Sequence, residues 1–268
     1  MTVLFAEGPK VSLVAEHLFN IGPIRVTNSM VLGVLGTAIV VGLFWYTKKR
    51  IDRKSHTRLS VAILWLFDML LGTAEEVVGD RKLARKLAPL AITMFFVIMV
   101  NNWMGLLPFV GPVTYNGEPF FRGLASDLNF TAALAIITMV TAQIYAIRKH
   151  GFFGNLGRYF ANPFSNPMGV FEGFLEIIAE FSRLISLAMR LFGNIFGGEV
   201  LLAVMGFITA WAAPLALPPF MFLELFVGAI QAYVFFMLTV VFVSLGTADH
   251  HEGAAEDEPK MLISRSPV

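Results

Sequence analysis

The 268-residue chain has no cysteine, which excludes disulfides, thiolate metal sites and cysteine nucleophiles. Charge is also scarce. Only 15% of residues are Asp, Glu, Lys or Arg, while 56% are hydrophobic, and the apolar runs are too long for a soluble domain. The net charge of +1 gives no reason to expect nucleic acid as a partner. Histidine is sparse: His17, His56, His150, His250 and His251 all lie outside the long apolar spans. The opening MTVLFAEGPK lacks the basic region and long apolar core of a signal peptide. No cofactor or metal site is expected from these patterns.

What remains is membrane-length hydrophobicity. Residues 26–47 carry no charge, enough to span a hydrocarbon core of about 30 Å. They run into Lys48, Lys49, Arg50, Arg53, Lys54 and Arg58. The positive-inside rule places this cluster in the cytoplasm and the N-terminus outside. Residues 87–110 span outward after Arg81, Lys82, Arg85 and Lys86, and carry Asn101, Asn102 and Trp103 near their far end. The Gly- and Pro-rich loop 111–126 has few charges, as an outside loop should, and 128–147 span back to Arg148 and Lys149. A Gly/Asn/Pro-rich connector, 151–168, leads to an apolar stretch at 171–211. A charge-free turn at 212–219 follows, then a last span at 220–247.

The spacing in 58–79 differs. Leu59, Ile63, Leu66, Leu70, Ala74 and Val77 form a helical stripe opposite Asp68 and Glu75. That fits a helix lying in the membrane surface, or a short half-buried helix packed on other spans. The chain is thus predicted to be an all-α polytopic membrane protein with about five membrane-crossing helices, the last two long and tilted, plus one surface amphipathic helix. Residues 1–25 form an N-terminal outside segment, 26–250 one membrane domain and 251–268 a polar tail. The halves show no repeat of the kind transporters carry.

One stretch concentrates polar residues where they are expensive. Within 171–205 stand Glu172, Glu176, Glu180, Arg183, Arg190 and Glu199. A charge at the centre of a membrane helix costs about 2.5 kcal/mol or more, so these residues should avoid lipid. At 3.6 residues per turn Glu172, Glu176, Glu180, Arg183, Arg190 and Asn194 fall within roughly an 80° arc, with Glu199 roughly 180° from Arg190. Gly193 and Gly197 lie beside Arg190, where a neighbouring backbone can approach closely. The following span holds one acid, Glu224, and one amide, Gln231, seven residues on and on the same face. The bland alternatives are structural: an ion pair for Arg190, a hydrogen-bonded pair for Glu199 and Glu224, and an i,i+3 pair for Glu180 and Arg183. Asn101 and Asn102 suit interhelical hydrogen bonds.

The decapeptide RLFGNIFGGE (190–199), preceded by SRLISLAM, resembles the signature of subunit a of the F-type ATP synthase membrane sector. Residues 86–108, 126–135 and 231–245 resemble the same family in the same order, so roughly 20–250 is covered. The resemblance implies a stator without an active site of its own, working with a ring of c subunits, the b subunits of a peripheral stalk and the F1 catalytic head, in a bacterial plasma membrane. It implies that Arg190 faces the ring between two aqueous half-channels. Asn194 would lie near that arginine, and Gln231 would approach it from the next helix. Glu199 and Glu224 match acidic or exchangeable His/acid positions of the outer half-channel, Glu224 standing where some members have His. Glu176 matches an acid of the inner access path. Glu172, Glu180 and Arg183 are assigned from the stripe alone. The competing class is a self-contained proton- or sodium-coupled transporter; a structural scaffold gains little from burying Arg190.

Overall fold

The computed structural model describes residues 15–21, 24–55, 57–107, 110, 113–115, 118–157 and 167–248. The polar tail and the first residues of the N-terminal segment lie outside them. Six helices dominate: α1 (Asn28–Asp52), α2 (Arg58–Val78), α3 (Arg81–Gly105), α4 (Leu128–Gly157), α5 (Pro167–Thr209) and α6 (Ala213–Thr247). Two short antiparallel ribbons precede α1 and α4: β1 (His17–Ile21) with β2 (Ile24–Thr27), and β3 (Thr114–Tyr115) with β4 (Glu118–Pro119).

Four stretches are long and apolar enough to cross a membrane: Asn28–Asp52, Arg81–Gly105, Leu128–Phe152 and the 77-residue Phe171–Thr247. The last is a hairpin, α5 and α6 packed together and joined by a single 3-10 turn at Ala210–Ala212. Five crossings result, in an all-α membrane bundle. The 43 residues of α5 are continuous and about 65 Å long at 1.5 Å per residue, about twice the hydrocarbon core, so α5 must tilt.

The return between α5 and α6 corrects the sequence expectation. The turn was expected over 212–219, but it is complete by Ala212, with Ala210 taking the left-handed φ of 44°. Pro214 stands in the first turn of α6, where a missing N–H is harmless, and Pro218 and Pro219 lie inside the helix. The connector expected from 151 is also partly helical. α4 kinks at Gly151 (φ 76°) and continues to Gly157. The helices reach further into the basic clusters than the uncharged runs did, since α1 includes Lys48–Asp52 and α3 begins at Arg81.

Local signals explain the joints. Thr57 and Ser60 form a capping box at the start of α2, and Gly79 ends that helix in the left-handed region (φ 72°). Asp80 caps α3 by accepting from Lys82 N–H at 2.8 Å. The apolar stripe of α2 packs against α3 and α6, burying Ile63, Leu70 and Ala74. Asp127 caps α4 through Asn129 N–H (2.9 Å) while its other oxygen accepts from Ser29 Oγ (2.9 Å), joining the starts of α1 and α4.

Bundle packing in lipid rests on close approach rather than on hydrophobic exclusion. Ala84, Ala88 and Ala91 of α3 and Ala135, Ala142 and Ala146 of α4 are all buried at helical spacing. Phe95 and Phe96 of α3 and Phe235 and Phe236 of α6 fill the centre. The hydroxyls of Thr138 and Thr239 meet at 3.3 Å across α4 and α6.

Candidate functional site

The hairpin of α5 and α6 carries most of the polar membrane residues, and the fold sorts them into three places. In the first, Glu199 of α5 and Glu224 of α6 line one cavity of about 30 Å³ with Asn102 of α3. Glu224 is 9% exposed, and its carboxylate lies directly over Gly198, where any Cβ would collide with it. Glu224 Oε1 has no hydrogen-bond partner, nor does Asn102 Oδ1. Asn102 donates to Gly228 O of α6 at 3.3 Å, the interhelical bond expected of it, which leaves its carbonyl oxygen as a further acceptor, whereas Asn101 donates within α3 to Val97 O at 2.8 Å. Trp103 adds a second tie, donating to Leu225 O at 3.1 Å.

Glu199 does not stand in lipid. Arg122 and Gly123, between α3 and α4, lie against it. Gly123 N–H donates to Glu199 Oε1 at 3.2 Å, and Arg122 Nε lies 3.6 Å from Oε2. These contacts were not legible in the sequence, where 111–126 resembles an ordinary solvated loop. The available signal was Arg122, an arginine between two spans and away from the basic clusters.

The second place is Arg190 itself. The side chain is exposed on the outer face of α5 and, among the described residues, has no hydrogen bond or ion pair. Gly193 and Gly197 share that face with open space above them. Asn194 is half-buried one turn beyond Arg190. Gln231 is buried in α6, 5% exposed, with its Nε2 unpartnered, and it makes no hydrogen bond to Arg190. The two residues are therefore not joined within this chain.

The third place lies towards the basic end of the bundle. Glu176, Glu180 and Arg183 of α5 line a cavity of about 160 Å³ with Gln143 and Ala146 of α4 and Phe242 of α6. Arg183 lies 3.8 Å from Glu176 rather than pairing with Glu180. Glu180 accepts instead from Gln143 Nε2, whose Oε1 accepts from Asn155 Nδ2 at 3.1 Å. Gln143 and Asn155 went unremarked in the sequence because an amide on an otherwise apolar span is a weak signal. Glu172 is exposed, a turn before this cavity begins.

The single stripe seen in the sequence is thus divided: one part faces the inner helices, and Arg190 faces outward. Glu199, on the opposite side of α5, turns towards α6. Among the described residues, polar cavities lie at two depths along one helix, with an unpaired arginine between them.

Known proteins are similar to this sequence. The family model described as ATP synthase A chain matches residues 30–244. Among curated relatives, ATP synthase subunit a of Enterococcus faecalis is 32% identical over 234 residues, covering 85% of this chain and 95% of the relative. That of Acidothermus cellulolyticus is 28% identical, covering 87% and 79%. That of Helicobacter pylori is 36% identical over 182 residues, covering 67% and 72%. The match takes in nearly the whole of all five crossings and every polar residue of these three places, and on that ground the chain belongs to the ATP synthase A chain family.

Proposed function

We propose that this chain is the ion-conducting stator subunit of a rotary ATP synthase, non-catalytic by itself. It loads and unloads protons on carboxylates carried past it by a ring of c subunits. The observation that carries the reading is the unpaired, outward-facing Arg190 between two polar cavities. Along α5, Glu176 lies about 21 Å to one side of Arg190 and Glu199 about 14 Å to the other, at 1.5 Å per residue.

The chemistry follows from opposing electrostatic effects. Lipid surroundings disfavour a charged carboxylate, and a cation within a few ångströms favours it. A ring carboxylate arriving from lipid is protonated. Opposite Arg190 it releases its proton to one aqueous path, and it must reload from the other before re-entering lipid. The open space over Gly193 and Gly197 lets a ring helix come close enough for that exchange. Arg190 also repels a cation attempting the direct route between the cavities, so flux requires rotation.

Glu199 and Glu224, with Asn102, serve the outer half-channel. Glu176, Glu180 and Arg183 serve the inner one, with Glu172 at its aqueous entrance. Asn194 and Gln231 flank the exchange point on the two helices. The basic ends of α1, α3 and α4 face the cytoplasm, which puts the N-terminus outside, in a bacterial plasma membrane. The remaining partners are the b subunits of a peripheral stalk and, through them, the F1 catalytic head.

The test is ATP-driven acidification of inverted vesicles carrying the whole complex with Arg190→Ala. Loss of pumping, with complex assembled and ATPase present, is expected. Normal pumping would remove Arg190 from the mechanism. Failure of the chain to associate with any ATPase would favour a self-contained ion-coupled transporter.

A further inference from the structure

Among the described residues Arg122 is the only lysine or arginine that is buried. Desolvating an ion costs several kcal/mol unless partners replace the water, so its surroundings need an explanation. Arg122 Nε donates to Ser126 Oγ at 3.1 Å, and Ser126 Oγ in turn donates to Gly123 O at 2.7 Å. The guanidinium thereby stands 3.6 Å from Glu199 Oε2, while the neighbouring Gly123 N–H holds Oε1. One short segment, 122–126, thus grips both oxygens of a single membrane carboxylate.

The grip is anchored rather than floating. Leu124 packs so closely on α1 that a Cβ at Gly33 would lie 2.5 Å from its Cδ1. Asp127, just beyond the segment, accepts from Ser29 Oγ, and Asn28 Nδ2 donates to Pro119 O at 3.2 Å just before it. The segment is therefore held by the start of α1 and by the cap of α4.

We propose that Arg122 is a positioning residue for the outer proton path: it holds Glu199 in place as the charged member of the Glu199–Glu224 pair, leaving Glu224 to carry the mobile proton. This inference rests on the stator reading above. Two like acids sharing a cavity titrate as a pair, and without an asymmetric neighbour the proton has no preferred seat. Among the described residues the charged or titratable groups facing Glu199 are Arg122 from the α3–α4 segment and Glu224 from α6; α3 presents only the neutral Asn102. Glu224 receives no such clamp, since its Oε1 is unpartnered. The asymmetry therefore comes from the 122–126 segment, in which Arg122 supplies the charge and Gly123 N–H the hydrogen bond.

The experiment is the pH profile of ATP-driven pumping in inverted vesicles, using the assembled complex with Arg122→Gln, Arg122→Lys and, in parallel, Arg190→Ala. Without the cation Glu199 also takes a proton, and a higher pH is needed to restore a singly protonated pair. Arg122→Gln should therefore move the acidic limb of the profile to higher pH by at least about one unit. Arg122→Lys should return most of it. A purely structural arginine would lower pumping by the same factor at every pH and leave the limb in place, which would overturn the proposal. If Arg122→Gln fails to assemble, Gly123→Ala replaces it. Its backbone tolerates alanine (φ −54°), but the new Cβ would lie 2.7 Å from Glu199 Oε1 and displace the carboxylate. An unshifted limb there, with Arg122→Lys also unshifted, overturns the proposal equally. Normal pumping by Arg190→Ala would instead sink the stator reading; lost pumping there with an unmoved Arg122→Gln limb would sink only this inference.

Discussion

The two carboxylate clusters of the hairpin are built in opposite ways. At Glu199 and Glu224 the cavity holds about 30 Å³, acid faces acid, and glycines at 123 and 198 let the carboxylates lie against backbone. At Glu176 and Glu180 the cavity holds about 160 Å³, and each acid has a side-chain partner, Arg183 or Gln143. A cavity needs about 10–15 Å³ to hold one water, so the first site has room for very few and the second for many more. On the proposed function, proton transfer through the first relies on the side chains themselves, in a geometry set by backbone and by Arg122. In the second, water can substitute for a lost group. The tight site should be intolerant of change and the roomy one forgiving.

The largest expected effect tests that contrast directly. Glu224→Gln, near-isosteric but unable to exchange a proton, should lower pumping about a hundredfold, the lower end for losing a positioned proton-transfer group. Glu176→Gln should cost far less, because water in the larger cavity can carry the proton past it. Matched rates of vesicle acidification for the two variants, normalised to assembled complex, would check this. Equal losses would break the comparison.

A smaller effect should follow from geometry without removing any acid. Gly198→Ala places a methyl group where the Glu224 carboxylate now lies. Overpacking of this kind costs about 1–3 kcal/mol, and the carboxylate tip gives way before the helix does. Pumping should fall by about tenfold with the subunit still assembled. On the roomy side Gln143→Leu removes the amide that donates to Glu180 and accepts from Asn155. Two hydrogen bonds are lost, but water in the larger cavity can replace one, so the net loss is about 1 kcal/mol, or about fivefold. If Gln143→Leu proves the more damaging, the inner acids depend on fixed side chains and not on water.

The contrast also explains what the sequence could show. Five crossings, their order and the amphipathic α2 were legible because uncharged length and 3.6-residue spacing are local properties. The motif at 190–199 pointed to the family whose model matches residues 30–244. The separation of its polar residues was not legible. Helical arithmetic put Glu176, Glu180 and Arg190 on one stripe, yet the first two face Gln143 while Arg190 faces outward. That division depends on where α4 and α6 pack against a 43-residue helix, which spacing within α5 cannot encode. The contact of Arg122 with Glu199 joins residues 77 positions apart through an irregular segment, and no periodicity reports on it. The turn at Ala210 was misplaced for a related reason. Two prolines at 218 and 219 suggest a helix break, but they occur inside α6.

The smallest effect lies outside both cavities and shows what a carboxylate–arginine contact is worth in water. Glu75, near the end of α2, accepts from Arg85 Nε at 2.8 Å and from Arg81 Nε at 3.0 Å across the Gly79 turn. The Arg85 hydrogen bond is the main cause, with Arg81 adding to it, and together they hold the Glu75 carboxyl below its ordinary value. Both arginines are largely exposed, so the pairs are screened and contribute little. A depressed folded-state value means the stabilisation is fully present above the unfolded value of about 4.3 and is lost as pH falls through the folded one. Glu75→Gln should therefore lower the thermal unfolding temperature of the purified complex slightly at neutral pH, with the difference vanishing on acidification. Pumping should be unchanged. A large pumping defect would mean that the α2–α3 turn is coupled to the inner cavity. The contrast drawn between the two clusters would then have to include a third carboxylate.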